Sequence, residues 1–181
     1  MAELFWQFFL YSFLGFLLEL VFARITRSDK QDRKCLLFLP LCPVYGLGAV
    51  LILHLPATVQ RSPLLLYLCA VAVATAVEYG TDWLCERALG VRFWDYSALR
   101  WNWNGRVCLV FSLAWGVLAF GLVRVVHPTL ASVIAAIPFP ITCATAFLTS
   151  CDTLLTVILL RTSGNTKILR WYDRLRPAQG R

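Results

Sequence analysis

The sequence predicts an all-α fold, a polytopic membrane helix bundle of about five transmembrane helices, with the N-terminus outside and the C-terminus cytoplasmic. Three observations predict it. Hydrophobic residues make up 59% of the chain and charged residues 15%, where a soluble domain usually carries about 25% charge. Five apolar runs approach the ~20 residues that crossing the hydrocarbon takes. The basic residues fall in the gaps between those runs, and almost all on one side.

The runs are 4–23, 36–55, 64–84, 107–126 and 141–160, followed by a basic tail, 161–181, in a single integral membrane domain, 1–181. The first opens Met1-Ala2-Glu3-Leu4 and meets no Lys or Arg until Arg24. A cleaved secretory signal starts with a positive region, so this run is expected to be a retained helix. The second carries Pro40, Pro43, Gly46 and Gly48. Such a stretch is either an interfacial turn followed by close helix packing through the glycines, the reading favoured from sequence, or a broken helix of the kind that exposes backbone to a transported substrate. The stretch before 141 contains Pro138 and Pro140. Proline breaks or bends helices, so a short outer segment is expected there, with a re-entrant piece before Pro138 as the alternative.

Orientation follows from the basic residues. Arg24, Arg27, Lys30, Arg33 and Lys34 follow the first run, and Arg87, Arg92, Arg100 and Arg106 follow the third. Arg161, Lys167, Arg170, Arg174, Arg176 and Arg181 occupy the tail. Fifteen of the 17 basic residues thus share one side, leaving Arg61 and Arg124 opposite. Positive loops face the cytoplasm, and an odd number of spans is needed to put these three segments together. The same distribution argues against nucleic acid despite the net charge of +7, because a nucleic-acid binder needs its basic residues on one water-exposed face. Trp6, Trp83, Trp94, Trp101, Trp103 and Trp171 lie near the ends of runs, where amphipathic rings favour the headgroup level. The tail with Trp171-Tyr172 either rests on the anionic inner surface or is solvated. The seven cysteines form no CxxC pair and are expected to be small packing residues, neither a disulfide framework nor a zinc site.

Charges inside a membrane cost at least about 2.5 kcal/mol each, so the polar residues within the runs are the candidate site. Glu78, Asp82 and Glu86 recur at i, i+4 and i+8 of the third run, which places them on one helical face. Glu19 and Tyr45 fall at a similar depth, and Asp152 lies inside the fifth run. The loop after the third run supplies Trp94, Asp95, Tyr96, Asn102, Asn104 and Arg106. Arg106 can reach an acid of the third helix, and the two amides can line a polar cavity. His54 and His127 sit at outer ends and read as caps. No Walker A, GxGxxG or HExxH sequence occurs, and nothing specifies a cofactor; whether a metal is bound is left undetermined.

Several of these stretches together resemble a known family. They are Tyr11-Ser12-Phe13-Leu14-Gly15 through Glu19, Cys42-Pro43-Val44-Tyr45-Gly46, Glu78-Tyr79 through Glu86, Trp94-Asp95-Tyr96-Ser97, Asn104-Gly105-Arg106-Val107-Cys108-Leu109 through Ser112, Trp115-Gly116 and His127-Pro128. In that order, over most of 5–130, they resemble the CmpB-type family of ABC transporter permeases, ABC-transporter type IV. The resemblance implies a transporter or permease subunit in the cell membrane, surrounded by lipid and served by a separate ATPase subunit. Five spans are few for a permease, which implies a homo-oligomer. Two other functions compete. One is an inner-leaflet enzyme or lipid-binding protein, with Glu86 and Asp95 as candidate Mg²⁺ ligands or bases. The other is an accessory or scaffold subunit in which the acids and Arg106 are a structural lock.

Overall fold

The computed structural model describes residues 1–26 and 35–170. The basic cluster Arg27, Lys30, Arg33 and Lys34 lies outside the described residues, as do Trp171, Tyr172 and the rest of the basic tail.

Among the described residues, four helices are long and apolar enough to cross a membrane. The first, α1, spans Ala2–Ile25. After the second run and a short helix α3, Ala57–Arg61, comes α4, Pro63–Leu89. Its start is built from Ser62, whose side chain accepts from the Leu65 amide, and Pro63 at the position where a missing N–H costs nothing. Its end is Gly90, left-handed at φ 69°, a backbone state glycine adopts without strain.

The third crossing helix is one rod. Helix α5, Leu109–Gly121, passes through a π turn, Leu122–Val126, into α6, His127–Ala135, giving 27 residues in all. The wider turn carries Pro128 into the first turn of α6, where its lost donor is harmless. The segment before Pro138 is therefore the continuation of the fourth span, not a separate outer or re-entrant piece. The two later prolines act as a helix start: Pro138 precedes α7, Phe139–Ser163, and Pro140 sits in its first turn.

The second run departs most from expectation. Only Pro43–Leu53 is helical (α2, 11 residues), about 16 Å at 1.5 Å per residue, which is half a membrane. Residues 35–42 form no regular element. Pro40 and Pro43 explain this, because each removes a donor and disfavours helix in the residue before it. The stretch nevertheless runs deep. Leu37 packs against the buried cluster of Val91, Leu160 and Leu169, as does Leu89 of α4, and its amide donates to Thr156 Oγ1 at 2.9 Å. The Phe38 amide donates to both Asp152 oxygens at 3.1 Å, and the Leu39 amide to Oδ2 at 2.7 Å. The Cys42 amide donates to the Ser12 carbonyl at 2.9 Å. Ser12 and Asp152 lie near the midpoints of α1 and α7. The stretch thus runs unwound alongside the middle of α1 and α7 before α2 begins, and the close packing expected of the glycines is seen at Gly46. Backbone this deep is tolerated only when its donors are satisfied by protein, and Asp152 and Thr156 satisfy them.

The helices pack closely where glycine permits. A Cβ on Gly46 would overlap Ser12 Oγ and the Phe8 carbonyl, and one on Gly15 would overlap the Tyr45 ring. Helices α1 and α7 start at the same end of the bundle, since Trp6 Nε1 donates to Thr142 Oγ1 at 2.8 Å. Outward faces are apolar, with Leu68, Val117 and Phe147 more than half exposed. All seven cysteines are free thiols.

Candidate functional site

The connection between α4 and α5 folds back along α4. Two short strands, β1 Asn102–Trp103 and β2 Val107–Cys108, pair antiparallel. Asn104 and Gly105 turn the chain with φ 53° and 67°, the pair of positive values that a type I′ turn requires. Gly105 is constrained twice, because a Cβ there would also strike Ser97 and Asp95. The Asn102 side chain braces the same turn. Its Nδ2 donates to the Leu99 carbonyl at 2.7 Å and its Oδ1 accepts from the Gly105 amide at 3.0 Å. Asp95 Oδ1 accepts from the Ser97 amide and hydroxyl at 2.9 and 2.6 Å. Asn104 Nδ2 reaches the Tyr79 hydroxyl at 3.2 Å.

This fold-back lays two arginines on the acid face of α4. Arg92 Nε and Arg106 Nη1 both meet Asp82 Oδ2, at 3.1 and 2.5 Å. Arg106 also pairs with Glu86 through Nη2 and lies 5.6 Å from the Tyr79 ring centroid. Trp94 Nε1 donates to the Arg106 carbonyl at 2.9 Å. The Glu86 carboxylate, and next to it Asp82, hold the Arg106 guanidinium protonated above its ordinary range. Asp82 is fully buried, and a buried carboxylate stays charged only with such partners. Its Oδ1 has no hydrogen-bond partner among the described residues.

One turn deeper, Glu78 is buried and accepts from the Tyr96 hydroxyl at 2.9 Å and from Trp115 Nε1 at 3.3 Å. Across from it the Tyr45 hydroxyl donates to Glu19 Oε1 at 2.8 Å. The Tyr45 and Trp115 rings meet edge to face at 4.6 Å. Glu19, Tyr45, Glu78, Trp94 and Tyr96 together line a cavity of about 160 Å³. Cys42 and Val44, at the start of the half-helix, open onto it.

The eleven sequence candidates therefore divide. Five line the cavity. Asp82, Glu86 and Arg106 form the ion network beside it, and Asp95, Asn102 and Asn104 shape the loop. The structure adds Arg92, Trp115, Lys167 and Arg170 to the cavity wall. Trp115 carried a signal, as the one tryptophan well inside a run. Lys167 and Arg170 carried none, because only the turn after Gly164 brings the tail start, Thr166–Leu169, under the cavity. The role of Asp152 as anchor of 37–39 was likewise invisible without the unwound segment. No group of three metal-ligating side chains occurs among the described residues.

A comparison with protein families matches residues 6–158 to the one described as Putative ABC-transporter type IV. The match extends past the stretch carrying the sequence motifs and includes Asp152. Neither the curated proteins nor the solved structures contain a match to the chain.

Proposed function

The chain belongs to the Putative ABC-transporter type IV family, and from that membership we propose that the cavity under the half-helix is its substrate path. The protein is a multi-pass membrane component of a transporter family. In the proposed reading it sits in the cell membrane as one integral membrane domain, with the cavity open to the cytoplasm. The observation that carries the reading is the broken crossing. An unwound segment and a half-helix meet at mid-depth beside Glu19, Tyr45, Glu78 and Trp115, and irregular backbone at that depth is found where it lines a cavity or binding site.

The orientation rests on the basic residues. Arg87, Arg92, Arg106, Arg161 and Lys167 all belong to the end where α4 and α7 finish, which supports a cytoplasmic location for that end. The chain has no Walker A sequence, so ATP would be hydrolysed by a separate subunit, and a homo-oligomer would complete the path.

Membrane vesicles holding the transporter and its ATPase, given ATP and a uniformly ¹⁴C-labelled cell extract, test this. Wild-type vesicles are expected to accumulate or lose label, and Glu78→Gln vesicles to do neither. Equal flux in the two would remove Glu78 and this cavity from the path. A scaffold reading draws on the Asp82–Arg92–Arg106–Glu86 network, which ties a loop to a helix with no ligand needed. That network lies beside the cavity and shares Arg92 with its wall.

A further inference from the structure

Two cysteines mark the ends of the unwound segment, and they meet. Six residues separate Cys35 from Cys42, a stretch of chain that could span more than about 20 Å. Their sulfurs nevertheless lie 3.5 Å apart. The backbone enforces this meeting. The Cys42 amide donates to the Ser12 carbonyl at 2.9 Å, and the Cys42 carbonyl accepts from the Tyr45 amide at 3.1 Å. Between the two cysteines, Thr156 and Asp152 hold the amides of Leu37, Phe38 and Leu39. Leu36 and Leu41, the immediate neighbours of the two cysteines, are buried.

The two sulfurs differ in access. Both cysteines line the polar cavity. Cys42 is only 4% exposed, whereas Cys35 is partly exposed. A cavity of about 160 Å³ admits water and other molecules of a few atoms. A small oxidant entering it reaches Cys35 first, with the Cys42 sulfur already in contact behind. An accessible thiol backed by a resolving thiol is the arrangement that makes cysteine oxidation reversible, because the first product is captured as a disulfide before it is oxidised further.

We propose that Cys35 and Cys42 form a redox-active dithiol on the cavity wall, in which a peroxide oxidises Cys35 and Cys42 resolves the product to a disulfide. The Cys35 thiolate attacks one peroxide oxygen. An S–O bond forms as the O–O bond breaks, and the departing hydroxide leaves as water with the proton of the thiol. The Cys42 sulfur then attacks the Cys35 sulfur. The S–S bond forms as the S–O bond breaks, and the second hydroxide leaves as water with the Cys42 proton. Two thiols and one hydrogen peroxide thus give one disulfide and two waters, and the two electrons lost by sulfur are gained by the peroxide oxygens. The sulfurs close from 3.5 Å to roughly 2.0 Å, a movement that side-chain rotation can supply. The product ties residues 35–42 into a ring, and a thiol reductant reopens it. This chemistry needs no transported substrate, so it stands apart from the transport reading.

The purified full chain is treated with hydrogen peroxide, and its disulfides are mapped by peptide mass spectrometry. The wild type is expected to form the Cys35–Cys42 disulfide first, and dithiothreitol to reverse it. Cys42→Ala should form no such disulfide and instead accumulate a Cys35 sulfenic acid that dimedone traps. In Cys35→Ala, Cys42 should oxidise at least about tenfold more slowly than Cys35 does in Cys42→Ala. A melting temperature near that of wild type shows that each variant is folded. A second measurement needs no variant. Phenylarsine oxide, whose arsenic bonds two thiols with loss of water, should bind the wild type at this pair and protect both cysteines from alkylation after unfolding. A first disulfide from either sulfur to another cysteine, no disulfide at this pair, or no protection by the arsenical would overturn the proposal. Equal oxidation rates for the remaining cysteine in the two folded variants would overturn it as well, since Cys35 would then not be the attacking sulfur.

Discussion

Asp82 concentrates the energetics of the site. It is fully buried, and two guanidinium groups converge on one of its oxygens. Removing one side of a buried pair leaves uncompensated charge and typically costs about 3–5 kcal/mol. Asp82→Asn is therefore expected to lower stability by about 3 kcal/mol, read as a fall in melting temperature in detergent. Arg106→Lys should also destabilise, because a lysine cannot reach Asp82 and Glu86 at once with a rigid fork. The sequence showed the acids on one face and offered Arg106 as their partner, since both statements follow from helical spacing and adjacency. It did not show that Arg92 shares Asp82, because that depends on how the loop folds. The same limit applies to Asn102 and Asn104. Both are amides in a polar stretch, which suggested a cavity lining, yet the geometry of the Asn104-Gly105 turn commits them to the loop's own backbone and to Tyr79.

At the scale of elements, the unwound segment 35–42 and α2 make the site. Two prolines marked the break in the sequence, but its depth was not legible, because depth is set by Asp152 and Thr156 on α7, more than a hundred residues away. Asp152→Leu deprives the Phe38 and Leu39 amides of their acceptor. A buried donor left unmade costs about 1–3 kcal/mol. The segment should loosen, and Cys42, now buried, should react faster with a maleimide in purified protein; an unchanged rate would mean that the segment is held by other contacts. The glycines of α2 give a sharper contrast. Gly46→Ala should disrupt the α1–α2 contact and cut the yield of folded protein, because its Cβ would overlap Ser12 and Phe8. Gly48→Ala should fold as well as wild type or better, because its Cβ meets open space. The sequence reading treated the two glycines alike, and only the packing separates them.

For the whole molecule, composition and run lengths were enough to indicate a helical membrane bundle, and the four long helices bear that out. Of the second run only Pro43–Leu53 is helical, because apolar content alone does not separate a helix from buried extended chain. The rod Leu109–Ala135 runs past the expected end at 126, because a π turn absorbs Pro128. The central claim is that one crossing is unwound to mid-depth and opens a path toward the side bearing the basic loops. The most direct measurement places a cysteine at Val44, which lines the polar cavity. Sealed vesicles of each orientation are treated with a membrane-impermeant maleimide, and the site is read by mass spectrometry. The account predicts labelling of Val44→Cys from the cytoplasmic face only, despite its depth in the bundle. Labelling from the outer face, or from neither face, would contradict it.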